Sequence, residues 1–315
     1  MISFFKLIRL PNLILIALLQ FFLRKYFVQP IMGSFSLELV LSDTQFYLLM
    51  LMTSLIAAAG YIINDYFDLK IDYVNRSGDD IIIGNTIKRR VAMLLHIVLS
   101  TVGVLIGCYL AYALKIWVIA LAPMFVVGLL WFYSTDYKRQ FLIGNVVLAF
   151  LSIFPILILM LFEPSIFKAY YSFENRAVAV LIFKVLLYFA SIAFGISLIY
   201  AFLKDLHDMP GDEAVNARTL PIVAGETTSK LSITFVSVAL IFALFYIQNM
   251  QYLNNAYIPL VYIIFAIELP LIIVNVMVYF ADQTKKYALL LKVMYAVMLF
   301  GVFSILILNY FPGSN

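Results

Sequence analysis

The chain has 315 residues, 65% of them hydrophobic and 12% charged, with a formal net charge of +4, and its mean hydropathy is +1.04. Soluble domains of this size are about 45–50% apolar and about 25% charged, so this composition excludes a soluble enzyme, a disordered chain and a nucleic-acid-binding domain. A single cysteine, Cys108, excludes an internal disulfide, and no CxxC pattern suggests zinc.

In chain order, apolar runs bounded by charge clusters predict nine membrane-spanning helices, at 12–32, 45–64, 91–112, 116–134, 142–162, 178–203, 231–248, 257–280 and 288–310. The fold class expected is therefore all-α and polytopic, with residues 1–315 forming one integral-membrane domain. Lipid-exposed backbone must satisfy its own hydrogen bonds, which disfavours an open β structure. The apolar start of the chain lacks a small-residue cleavage site and reads as a retained first span rather than a signal peptide. With the N-terminus in the cytoplasm, fifteen Lys and Arg residues fall on that side and six on the other. This bias predicts N-in and, with nine spans, C-out.

Two connecting stretches, 65–90 after the second span and 204–230 after the sixth, carry ten of the seventeen acidic residues. The first contains Asn64, Asp65, Asp68 and Asp72; the second contains Lys204, Asp205, Asp208 and Asp212. In both, the aspartates fall at i, i+3 and i+7, a spacing that puts three carboxylates along one helical face. Pro210-Gly211 interrupts the second set and predicts a helix break there, with Asp212 on the turn beyond. Two carboxylates about 6 Å apart repel by roughly 3 kcal/mol at an effective dielectric of about 20. An unpaired charge at membrane depth costs a further ~2.5–3.5 kcal/mol. Within the motifs only Lys70 and Lys204 are cationic. A hard divalent cation suits such oxygens, and Mg²⁺ tends to take one or two carboxylates, waters and substrate phosphate oxygens. Two such sets on facing helices would clamp a diphosphate through Mg²⁺.

The first motif resembles the NDxxDxxxD signature of the UbiA superfamily of intramembrane prenyltransferases, and the second resembles that family's second aspartate motif. The resemblance continues in Arg9-Leu10-Pro11-Asn12, Tyr133-Ser134, Lys138-Arg139, Gly144-Asn145 and Thr219-Leu220-Pro221-Ile222. It implies a nine-helix bundle whose site opens toward the cytoplasm, in the cell (inner) membrane. It implies transfer of a prenyl group from a polyprenyl diphosphate, with Mg²⁺ as cofactor and release of diphosphate. Asp65, Asp68, Asp205 and Asp208 are the expected catalytic carboxylates. Asn64, Asp72 and Asp212 join them as metal-site candidates. Arg76, Lys138 and Lys204 are expected on the diphosphate, and Asn12, Tyr133, Ser134 and Asn145 at substrate.

The second motif and the Lys88-Arg89-Arg90 patch look most like the branch that prenylates geranylgeranylglycerol phosphate, so a lipid-precursor acceptor is expected. Tyr200-Ala201 stand where that branch often carries an Arg-Glu pair, which keeps an aromatic acceptor of quinone-type biosynthesis open. A second class of function is an ion-coupled transporter, since acidic groups in helix bundles also mark ion paths. A phosphotransferase with a DGxxAR motif is disfavoured because that motif is absent. His207 reads as a spacer on the face opposite the aspartates, and Glu268 as an intramembrane carboxylate next to Pro270.

Overall fold

A computed structural model describes residues 2–75, 81–281 and 284–307. Among them, nine helices are long and apolar enough to cross a membrane. In chain order the helices are α1 (Ile2–Leu7), α2 (Leu10–Ser34), α3 (Asp43–Phe67), α4 (Leu69–Asn75), α5 (Arg89–Ala113), α6 (Trp117–Thr135), α7 (Ile143–Phe162), α8 (Pro164–Tyr171), α9 (Arg176–Ala214), α10 (Leu220–Ala224), α11 (Glu226–Leu253), α12 (Tyr257–Tyr279) and α13 (Thr284–Ile307). The membrane-length elements are α2, α3, α5, α6, α7, α9, α11, α12 and α13, each on a run expected from the sequence.

The ends that move furthest from expectation have local causes. Helix α9 continues past its apolar run through Pro210 and stops at Ala214, so Asp212 is helical and the expected break at Pro210-Gly211 is corrected. The stop signal is Asn216, which adopts a left-handed φ of 54°. Ala217 N–H then donates to Asp212 C=O at 2.9 Å and Asn216 N–H to Glu213 C=O at 3.1 Å, the paired bonds of a Schellman termination. Proline removes its own donor and crowds the carbonyl one turn back, but only about one helical turn follows Pro210, and the rest of the ladder persists. Helix α11 starts at Glu226, well before its apolar run, because Gly225 at φ 86° turns the chain into it. Helix α3 starts on a capping box, with Ser42 Oγ accepting from Gln45 N–H while the Gln45 side chain accepts from Ser42 N–H.

The chain forms two compact units. The first takes in Met1–Lys138 and Phe154–Tyr188. Its α3 and α5 approach closely through small residues: a Cβ on Gly103 would lie 2.7 Å from Ile56, and one on Gly107 3.0 Å from Met52. A cluster of Leu7, Ile8, Leu13, Ala58, Ile62, Ile83 and Ala92 packs near the C-terminal end of α3 and fixes the α1–α2 turn against it. Deeper in the unit, Gln20 Nε2 donates to Pro155 C=O at 3.0 Å and Gln20 Oε1 accepts from Thr53 Oγ1 at 2.9 Å. Burying these amide and hydroxyl groups is tolerable because each is paired.

The second unit takes in Arg139–Ile153 and Phe189–Asn315. Here Gly195 of α9 meets Leu240 of α11 so closely that a Cβ on the glycine would lie 2.5 Å from the leucine. Glu226, Lys230 and Tyr287 tie the start of α11 to α13 and to the Ala281 carbonyl, with Tyr287 Oη donating to Glu226 Oε1 at 2.5 Å and Lys230 Nζ to Ala281 C=O at 2.9 Å.

Candidate active site

The first aspartate set does not sit on one unbroken helix. Helix α3 ends at Phe67, Asp68 occupies its C-cap at φ −87° and ψ 0°, and α4 resumes at Leu69. The backbone still steps helically across the junction: Asp68 N–H donates to Asn64 C=O at 3.0 Å and Asp72 N–H to Asp68 C=O at 2.8 Å. Asn64, Asp68 and Asp72 are buried. Asp65 pairs with Arg9, whose Nη2 lies 2.9 Å from Oδ1. Asp68 is held from two sides, by Asn64 Nδ2 at 2.7 Å on Oδ2 and by Lys138 Nζ at 2.5 Å on Oδ1.

Arg9 reaches Asp65 because the turn between α1 and α2 places it at φ 50°, a left-handed conformation that costs a non-glycine residue on the order of 1 kcal/mol. The ion pair offsets this, as does the face of Tyr61, whose ring centre is 5.0 Å from the guanidinium. Asn12 Nδ2 donates to the Tyr61 hydroxyl at 3.2 Å and so joins the same cluster. Tyr133 is buried in α6, and Ser134 spends its hydroxyl proton on Leu130 C=O of its own helix at 2.8 Å. Arg76 lies outside the described residues.

The second aspartate set does sit on one helix, α9. Asp205 Oδ2 accepts from Asn145 Nδ2 at 2.8 Å, so the asparagine near the start of α7 positions this carboxylate. Asp208, Asp212 and Lys204 all act on Asp205 electrostatically. Asp212 is buried at the Schellman end of the helix. His207 is not the spacer expected: its Nδ1 lies 2.6 Å from Asp208 Oδ1. The segment following α9 is tied down by Arg218 N–H donating to Arg139 C=O at 2.8 Å.

Sequence reasoning misses the roles of Arg9, Tyr61 and His207. Arg9 belongs to the Arg-Leu-Pro-Asn string, but its partner is 56 residues away, beyond any local spacing rule.

Among the described residues no group of three or more His, Cys, Asp or Glu side chains is gathered closely enough to cage a metal by itself. The donor set fits Mg²⁺ in another way. Asn64 Oδ1 is a buried oxygen with no hydrogen-bond partner, beside a carboxylate that Asn64 itself orients. A hard-oxygen ion that takes a few protein ligands and completes its shell with water and phosphate suits such a site.

The sequence from residue 30 to 293 matches the UbiA prenyltransferase family. The chain belongs to that family. Among its relatives, a digeranylgeranylglyceryl phosphate synthase of Thermococcus sibiricus is 33% identical over 201 residues, 62% of each chain. One of Sulfurisphaera tokodaii is 30% identical over 259 residues, 80% of this chain and 81% of its own. The match thus spans about three fifths of the first relative and four fifths of the second. Among solved structures, a UbiA homologue from Archaeoglobus fulgidus bound to DMAPP and Mg²⁺ superposes with a TM-score of 0.60 at 13% identity, over 94% of this chain and 99% of that one. A structure from work on digeranylgeranylglyceryl phosphate synthase in membranes gives 0.60 at 19% identity, over 96% of both chains. At these identities the likeness carries the fold alone. Family membership, with nine membrane-length helices among the described residues, places the chain among the integral-membrane UbiA proteins and speaks against the transporter reading.

Proposed function

We propose that this UbiA enzyme transfers a prenyl group from its diphosphate to a prenylated glycerol phosphate, with Mg²⁺ and with release of diphosphate. The observation that carries the acceptor is the Sulfurisphaera tokodaii relative, matched over 81% of its length and named as a digeranylgeranylglyceryl phosphate synthase. The donor and the metal are supported by the solved homologues, which are described as bound to DMAPP or GPP with Mg²⁺.

In this reading Asn64, Asp65, Asp68 and Asp72 from one motif, and Asp205, Asp208 and Asp212 from the other, are the residues that would hold Mg²⁺. When bound, the ion would supply positive charge for the diphosphate leaving group. Lys138 and Arg9 hold carboxylates when no donor is bound and turn toward the diphosphate oxygens when it is. Arg76 and Lys204 add positive charge to the same headgroup. Asn145 keeps Asp205 oriented, since an amide donor on one oxygen leaves the other directed at its task. Asn12, Tyr133 and Ser134 flank substrate. The allylic cation left by C–O cleavage must be kept from water, and aromatic faces beside the first motif can stabilise it without capturing it. Tyr66 and Phe67 meet edge to face there, with ring centres 5.2 Å apart.

The excess of Lys and Arg at the motif ends of the spans, fifteen against six, supports a site open to the cytoplasm, an N-terminus inside and a C-terminus outside. An aromatic acceptor is the second reading, favoured by Tyr200-Ala201 where the glycerol-phosphate branch often carries charge. The deciding experiment incubates the protein in liposomes with radiolabelled geranylgeranyl diphosphate and a panel of acceptors, with and without EDTA. Label should pass to geranylgeranylglyceryl phosphate only when Mg²⁺ is present. Transfer to an aromatic acid instead would select the second reading, and transfer to neither would reject both.

A further inference from the structure

The connector between α7 and α9 is built unlike the other described loops. Its base is fixed. Glu163, 2% exposed, accepts from Val40 N–H at 2.8 Å, Leu41 N–H at 3.4 Å and Ser165 Oγ at 2.6 Å through one oxygen. Ile166 and Ala169 turn the inner face of α8 into the core of the first unit. The outer face is mainly aromatic and exposed, with Lys168 and Glu174 also on the surface. Tyr171 is 84% exposed and Phe173 99% exposed, and Phe167 and Lys168 face outward beside them. Arg176 closes the connector, with its guanidinium 5.1 Å from the centre of the Tyr170 ring.

Length fixes where this surface lies. Residue 162 ends one membrane-length helix and residue 176 starts another. An eight-residue helix is about 12 Å long, too short to carry its tip far from the depth at which those helices end. The backbone of residues 40 and 41, which Glu163 holds, immediately precedes the Ser42 cap of α3. The connector therefore sits at the opposite end of α3 from Asp65, about 35 Å from it along the helix at a rise of about 1.5 Å per residue.

We propose that residues 164–175 form an anchor in the interfacial layer of the bilayer, on the membrane face opposite the first aspartate set, with Tyr171 and Phe173 inserted among the lipid headgroups. Aromatic rings bracketed by cations match the chemistry of that layer, where rings sit at the acyl boundary and Lys or Arg meets lipid phosphate. Removing a Phe side chain from water is favourable, which gives a residue as exposed as Phe173 a reason to be held there. The occupant is lipid rather than a second copy of the chain, because the connector joins two membrane-length helices directly at both ends.

The test places one fluorophore on the tip. F173W, with Trp117 and Trp131 replaced by Phe, is reconstituted into phosphatidylcholine–phosphatidylglycerol vesicles. Emission should be blue-shifted, protected from acrylamide, and quenched several-fold more by lipids brominated near the headgroup than by lipids brominated near the chain end. Emission of a water-exposed tryptophan, or bromolipid quenching that appears only when the protein is diluted in lipid, would overturn the proposal; the second pattern would indicate contact between copies. A spin label on Y171C in a C108S background reads the same depth without altering a tryptophan. Collision with oxygen should exceed collision with an aqueous nickel complex, and the reverse would reject the anchor.

Discussion

The two aspartate sets share one spacing and differ in almost everything that spacing predicts. The first set bends: Asp68 caps one helix and Asp72 belongs to the next, although no proline or glycine marks the junction. The second set stays on one continuous helix, although Pro210-Gly211 lies inside it. Their partners differ as well. Arg9 and Lys138 hold the first through ion pairs, whereas a neutral amide, Asn145, and a ring nitrogen of His207 meet the second. A shared i, i+3, i+7 pattern thus does not dictate a common backbone shape. In the proposed reaction the first set arrives with cations that can pass to a diphosphate, and the second with carboxylate charge left for the metal.

The largest effect should come from the carboxylates themselves. Asp65, Asp68, Asp205 and Asp208, each changed singly to Asn, should lower turnover by about 1,000-fold or more, with the melting temperature in detergent little changed. Loss confined to one set, measured as initial rates of labelled prenyl transfer, would break the idea that both serve the same step. Next, Lys138→Ala should cost on the order of 100-fold and Lys138→Arg much less, because a charge-assisted contact to Asp68 is retained. Arg9→Ala should act on the first set alone, raising KM for the donor by about 10- to 100-fold, as expected for a partly buried charged hydrogen bond worth ~1.5–3 kcal/mol. Asn145→Leu should give a comparable loss through Asp205, read as kcat at saturating donor.

The smallest effects sharpen the structural side of the contrast. Pro210→Ala should raise the melting temperature and leave turnover near wild type, since it restores a donor within a continuous helix. A large loss of turnover would show that the second set depends on a break at Pro210. Asn216→Ala should destabilise by about 1 kcal/mol because alanine resists the left-handed cap, and Asn216→Gly should not.

The membrane helices are legible in the sequence because each is a sustained apolar run, and lipid permits few alternatives to a helix there. Both acidic motifs and the candidates Asn64, Lys138 and Asn145 can be named from residue type and family resemblance. The pairings Arg9–Asp65, Lys138–Asp68 and Asn145–Asp205 cannot, because they are tertiary contacts between distant residues. The end of α9 escapes a local reading because Pro-Gly is a strong punctuator, while the termination actually used depends on an asparagine adopting an uncommon φ.

If both carboxylate sets hold the metal that faces the donor, one ion must sense substitutions in either. The most direct measurement is electron paramagnetic resonance of Mn²⁺, substituting for Mg²⁺, titrated into the protein with a non-hydrolysable prenyl thiodiphosphate. A bound Mn²⁺ signal should require the donor analogue and should be lost in both Asp68→Asn and Asp205→Asn. Unchanged Mn²⁺ binding in either variant would contradict a metal shared between the two sets.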